Sequence, residues 1–137
     1  MKSWFFCFVL IMISINGRGD IMQSEKIPIR VNPEKTAEAQ MLFSDPKFYL
    51  GRIRFFPGGA VPEHTHSASM EIVYVLSGSG ELTIDGRKSN VKAGDVVSIP
   101  VGIKHSFRNS RTEPAEFIQV YSPPGPEERF KGWTIKK

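Results

Sequence analysis

Turn-forming residues interrupt this chain too often for long helices. Short apolar or alternating runs lie at Ile27–Val31, Phe48–Phe56, Glu71–Leu76, Glu81–Ile84, Asp95–Ile99 and Ala115–Tyr121. They are separated by Pro57-Gly58-Gly59, Gly78-Ser79-Gly80, Asp85-Gly86, Ala93-Gly94 and Pro123-Pro124-Gly125. Many short strands with regular turn signals predict an all-β sandwich or barrel. Asp85-Gly86 is the strongest hairpin signal, because Asp-Gly suits the tight turns whose twist matches paired strands. Helix is expected only as a turn or two, at Glu34–Leu42 behind Asn32-Pro33 and at Glu127–Phe130. No internal repeat is visible, which removes solenoids and propellers.

A chain of 137 residues makes one domain with a sizeable core. Its 18 Lys+Arg against 14 Asp+Glu give a formal charge of +4, but the cations are scattered and form no stripe for nucleic acid. The first residues differ from the rest. Lys2 precedes a run, Trp4–Ile15, that is apolar apart from Cys7 and Ser14 and ends at Asn16-Gly17-Arg18-Gly19-Asp20. That is the layout of a secretory signal peptide, and the run is short for a transmembrane helix. Residues 1–19 are therefore expected to be a signal peptide, cleaved after Gly17 or Gly19, or an uncleaved anchor, since Ile15-Asn16 is a poor cleavage site. The mature protein would be periplasmic or secreted, with no stable membrane span once cleaved. The single Cys7 falls inside the run, so the mature chain would have neither a disulfide nor a nucleophilic thiol.

All three histidines fall in two short segments. His64 and His66 stand two apart, so on an extended strand they share a face, where two imidazoles can grip one metal ion. Glu71 follows after a gap that fits a tight turn, bringing a carboxylate beside them. His105 lies in the second segment, after Pro100-Val101-Gly102-Ile103-Lys104. Alone, a His-x-His is more often a pair of surface histidines than a site.

The surrounding pattern changes that weighting. The chain resembles the cupin superfamily, whose first motif is G-x5-H-x-H-x(3,4)-E-x6-G and whose second is G-x5-P-x-G-x2-H-x3-N. Gly58, His64, His66, Glu71 and Gly78 meet the first; Gly94, Pro100, Gly102, His105 and Asn109 meet the second. The short segment between Gly78 and Gly94 suits a compact single-domain member. The resemblance runs from about Phe48 to Pro126. It implies an antiparallel jelly-roll barrel over 48–126, preceded by the signal segment and an N-terminal strand and linker over 20–47, and followed by a tail over 127–137. It also implies one metal ion held by His64, His66, Glu71 and His105. Three imidazoles and a carboxylate suit a divalent transition metal (Fe, Mn, Ni, Cu or Zn) rather than calcium or magnesium. Four protein ligands leave positions for a substrate. Gly58, Gly78 and Gly94 are expected at positive-φ turns.

Alternation from these ligands suggests the pocket wall. Val73 and Val75 lie in phase with Glu71, Phe107 and Asn109 with His105, and Gln119 and Tyr121 alternate likewise. Each is pocket lining or plain barrel core. Arg52 and Arg54 share one strand face, where they either receive an anionic substrate group or face solvent.

Two functional classes remain. One is a metal-dependent enzyme on a small organic substrate, with dioxygenation of a chelating diol, enol or flavonol favoured over isomerase or lyase chemistry. Glu71 would be its ligand and candidate proton acceptor. The other is a non-catalytic small-ligand-binding or sensor module. A homodimer is expected, with Ile27–Val31 adding to a partner's sheet edge.

Overall fold

In the computed structural model, residues 19–137 are described; the apolar run Trp4–Ile15 and Cys7, on which the export reading rests, lie outside them. Eleven strands follow in chain order: β1 (Ile29–Val31), β2 (Ala37–Ser44), β3 (Tyr49–Phe55), β4 (Ala60–His64), β5 (Met70–Ser77), β6 (Ser79–Ile84), β7 (Arg87–Lys92), β8 (Val96–Ile99), β9 (His105–Arg108), β10 (Ala115–Ser122) and β11 (Thr134–Ile135). They form two antiparallel sheets, ordered β11-β1-β2-β3-β10-β5-β8 and β4-β9-β6-β7. The arrangement is a jelly-roll, barrel-like fold. Among the described residues, no helix is long and apolar enough to cross a membrane.

Alternation determines which side of each strand is buried. In β3, Tyr49, Gly51, Ile53 and Phe55 turn inward while Arg52 and Arg54 turn out. In the adjacent β10, Ala115, Phe117, Gln119 and Tyr121 are buried. Three phenylalanines knit the two sheets together, with Phe107 of β9 lying 4.9 Å from Phe55 and 4.8 Å from Phe117 between ring centroids. Burial of each such ring contributes about 1.5–3 kcal/mol.

Asp85 and Gly86 form a two-residue hairpin between β6 and β7, both with positive φ and with Ile84 opposite Arg87. Gly58, Gly78 and Gly94 all have positive φ. At Gly78 the constraint is also steric, since a Cβ there would lie 2.2 Å from the Pro114 carbonyl oxygen.

Two expectations are corrected. Residues 37–44 are strand rather than helix. The run Ala37–Ser44 carries good helix formers, but Ala37 and Ala39 are buried in alternation and the strand pairs with both β1 and β3, so sheet packing overrides local propensity. Next, β1 is not a free edge, because β2 pairs with one side and β11 with the other. Of the two readings open for Asn109, the structure has the core one, its side chain being spent on backbone groups.

Residues 126–137 pack against the barrel. A 3-10 helix at Pro126–Gly132 buries Phe130 completely, and Trp133 meets that ring edge-on at 5.0 Å. On the outer face of the larger sheet, Met70, Ile72, Tyr74 and Leu76 of β5 are 37–44% exposed, with Val96 of β8, 68% exposed, opposite Tyr74.

Asn109 is fully buried. Its Nδ2 donates to the carbonyls of Phe55 (3.0 Å) and Glu113 (2.8 Å), and its Oδ1 accepts from the Arg111 amide at 2.9 Å. Asn109→Ala leaves buried backbone groups unpaired and should cost about 2–3 kcal/mol in urea denaturation. Asn109→Asp should also destabilise, because a carboxylate would face two carbonyl oxygens.

Candidate metal centre

Both sheets contribute to one cluster. His64 ends β4 and stands directly opposite His105, the first residue of β9. Glu71, near the start of β5, turns inward from the larger sheet beside Tyr121 of β10. His66 lies beyond the end of β4, in the turn leading to β5. The Gly102 amide donates to the His66 carbonyl at 2.8 Å, so the second motif's turn pins the loop that carries the first motif's second histidine.

One atom from each of His64, His66, Glu71 and His105 falls within a group spanning 4.8 Å. Glu71 Oε2 is 3.2 Å from His66 Nε2 and 3.1 Å from His105 Nε2. Ligands bound at about 2.0–2.2 Å and at right angles stand about 3 Å apart, so these spacings suit a shared transition-metal ion.

The backbone orients two of the rings. His64 Nδ1–H donates to the Pro62 carbonyl at 2.7 Å, and His105 Nδ1–H donates to the Ile103 carbonyl at 2.9 Å. Because a carbonyl can only accept, each Nδ1 carries hydrogen and, in the neutral ring, each Nε2 lone pair is available as a ligand. For neutral His105 that lone pair faces the Glu71 carboxylate, acceptor against acceptor. The donor set therefore calls for a cation between them, and a metal ion fits.

Without a metal, a proton fills that role. Burial pushes the Glu71 carboxyl up, but hydrogen bonds from His105 and His66 outweigh it and hold it down at about 2. Burial acts to lower the His105 pKa, but its hydrogen bond to Glu71 prevails and raises it. His64 is lowered, chiefly by burial. The cluster thus begins with one imidazole unusually ready to keep a proton and another unusually ready to lose it.

Glu71 is steadied from behind by Gln119, whose Nε2 donates to Oε1 at 3.2 Å. Tyr121 is fully buried, and its ring meets His66 edge-on at 5.3 Å. Val73, Phe107 and Gln119 line a narrow apolar cavity of about 40 Å³ behind the cluster, together with Val75 and Phe117. Arg52 and Arg54 are elsewhere. They project from the outer face of β3 and pair with Glu116 of β10, Arg54 Nε at 3.5 Å. Of the two readings open for these arginines, the structure has the outward-facing one, because Ile53 and Phe55 occupy the inward phase.

A second, wider cavity of about 360 Å³ opens at the mouth, lined by Val61, Pro62, Glu63, His64, His66, Pro126 and Arg129. Arg129 also reaches the narrow cavity. Sequence reasoning missed it by treating residues 127–137 as a tail. The available signal was Phe130 with Trp133, an apolar pair that needs something to pack against.

Comparisons with known proteins agree with this geometry. The sequence profile of the Cupin domain family matches residues 51–121. Germin-like protein subfamily 2 member 1 of Arabidopsis thaliana is 35% identical over 91 residues, covering 63% of this chain and 42% of the relative. The oxalate-binding protein of Thermotoga maritima is 36% identical over 71 residues, covering 52% of this chain and 59% of the relative. The chain thus spans about half the length of these curated relatives. Among solved structures, KdgF from Halomonas sp. superposes with a TM-score of 0.73 at 19% identity, covering 81% of this chain and 99% of that one. A predicted oxalate decarboxylase from Thermotoga maritima superposes with a TM-score of 0.66 at 28% identity, covering 77% and 100%.

Glu71→Gln and His105→Ala should each lose stoichiometric metal after dialysis, read by plasma emission, with circular dichroism unchanged. The raised pKa of His105 sets the pH dependence. Its proton competes with metal above the ordinary imidazole value, so as pH falls retention should drop earlier than it would for an unperturbed imidazole. Equal metal content in wild type and both variants would show that these residues are not ligands.

Proposed function

Because the chain belongs to the Cupin domain family, we propose that its centre holds one divalent transition-metal ion and converts a small organic molecule, dioxygenation of a chelating diol, enol or flavonol being favoured over isomerase or lyase chemistry. The observation that carries this reading is the set of imidazole and carboxylate atoms converging where a roomy cavity meets them. When bound, a redox-active ion would supply a site for substrate and dioxygen together, whereas a redox-inert one would act only as a Lewis acid.

The chain's own residues divide the remaining work. His64 and His66 border the wide cavity and mark where a substrate's oxygens approach. The narrow cavity holds little more than a water molecule, so a substrate stays at the mouth while apolar walls behind the cluster limit water. Glu71 is the candidate proton acceptor. Imidazole donors hold its pKa low and Gln119 donates to its other oxygen, and a bound cation would also favour the carboxylate, so Glu71 would accept a proton only on swinging off the ion.

The test is oxygen uptake by protein loaded separately with Fe(II), Mn(II), Ni(II), Cu(II) or Zn(II), across a panel of diols, enols and flavonols. Uptake is expected with a redox-active ion, with none for Zn(II) and a strong loss for Glu71→Gln. One Thermotoga relative is named for binding oxalate rather than converting it, which favours a binding or sensor module as the second reading. Calorimetric binding of panel members without turnover under any metal would establish that alternative.

We also propose that the chain pairs with a second copy through the outer face of the larger sheet. The support is the row Met70, Ile72, Tyr74 and Leu76 with Val96 beside it, a contiguous exposed apolar surface of a kind monomers seldom leave uncovered. A two-fold axis would lay two such rows against each other as in a sheet sandwich. Light scattering at micromolar concentration should give a dimer for wild type and a monomer for Tyr74→Glu; a monomeric wild type would overturn the pairing.

A further inference from the structure

The wide cavity at the mouth has one cation on its wall, and it is supplied by the C-terminal 3-10 helix. Arg129 lines this cavity with His64 and His66, and it also lines the narrow cavity behind the cluster. Its guanidinium carbon sits 4.8 Å from the centroid of the Phe130 ring, which is fully buried. That stacking gives an otherwise flexible, exposed side chain a fixed support.

The neighbouring charges leave Arg129 unneutralised. Glu127 turns back to accept from the Gly125 amide at 2.7 Å, and Glu128 pairs with Lys131 at 2.8 Å. Glu63 borders the same cavity without forming an ion pair to Arg129. The ion pairs among the described residues use Arg52, Arg54, Lys88, Lys131 and Lys136 as lysine or arginine partners.

We propose that Arg129 is an anion-recognition residue, receiving the oxyanion of a small organic acid or phosphate whose other end lies against His64 and His66. A guanidinium presents paired donors that match carboxylate and phosphate oxygens. The cavity of about 360 Å³ is within the range that encloses small ligands. The proposal rests on reading the mouth as the ligand site of the metal centre and adds the charge of the ligand. It also assigns to Arg129 the anion-binding role that Arg52 and Arg54, paired with Glu116 on the outer face, do not fill.

The experiment uses the full chain loaded with Zn(II), which permits binding to be read without redox turnover. Malonate, inorganic phosphate and the uncharged chelator catechol are titrated calorimetrically into wild type, Arg129→Gln and Arg129→Lys. Arg129→Gln should weaken at least one of the two anions about tenfold or more, the scale of a charge-assisted contact, and Arg129→Lys should weaken it less. Metal content and catechol affinity should be unchanged. The anion that loses affinity distinguishes carboxylate from phosphate recognition. Equal anion affinity in wild type and Arg129→Gln, or no anion binding by wild type, would overturn the proposal. If wild type retains no zinc, the metal reading fails separately, and benzoate and phosphate titrated into the metal-free protein give the answer. Loss of binding in Arg129→Gln would then support anion recognition, and its absence would overturn it.

Discussion

A buried carboxylate facing imidazole nitrogens is the constraint around which this fold is organised. Glu71 is 4% exposed, and a charge so placed is costly unless other groups answer it. His66 and His105 do so from one side and Gln119 from the other. Because His64 and His105 come from the smaller sheet and Glu71 from the larger, the answer exists only when the two sheets close on each other. The Phe55, Phe107 and Phe117 contacts behind the cluster supply apolar driving force for that closure.

The chemistry of the centre was more legible in the sequence than the strands that carry it. Histidine spacing alone favours a pair of surface histidines; with the flanking glycines and proline it completes two cupin motifs, and that resemblance implies His64, His66, Glu71 and His105 as one cluster. Strand β2 was obscured because Ala, Glu, Gln, Met and Leu favour helix locally, and only pairing with β1 and β3 makes them strand. The two faces of β3 were decipherable in principle, since Ile53 and Phe55 alternate with Arg52 and Arg54 and apolar residues claim the interior. Arg129 was obscured for another reason. Its place at the mouth depends on Phe130 docking from the far end of the chain; the apolar pair Phe130 and Trp133 signals that this end packs on something, but not where.

The two cavities divide selectivity by size and by charge. The narrow one is too small for more than a compact group, and its apolar wall disfavours a second charge. The wide one accepts a larger body and ends at a guanidinium. On the proposed reading, a ligand would be screened at the mouth, where the imidazole edges and Arg129 would meet it together, rather than deep in the barrel.

The bonds from His64 to Pro62 and from His105 to Ile103 join each ring to a carbonyl only two residues back on its own chain. Such a tether stops the ring turning over, so much of the rotational freedom that a flexible ligand would surrender on meeting an ion is already gone in the folded protein. The entropic cost of assembling the centre is thereby moved from ion capture to folding. Were one ion to replace another at this cluster, these two rings would stay in place.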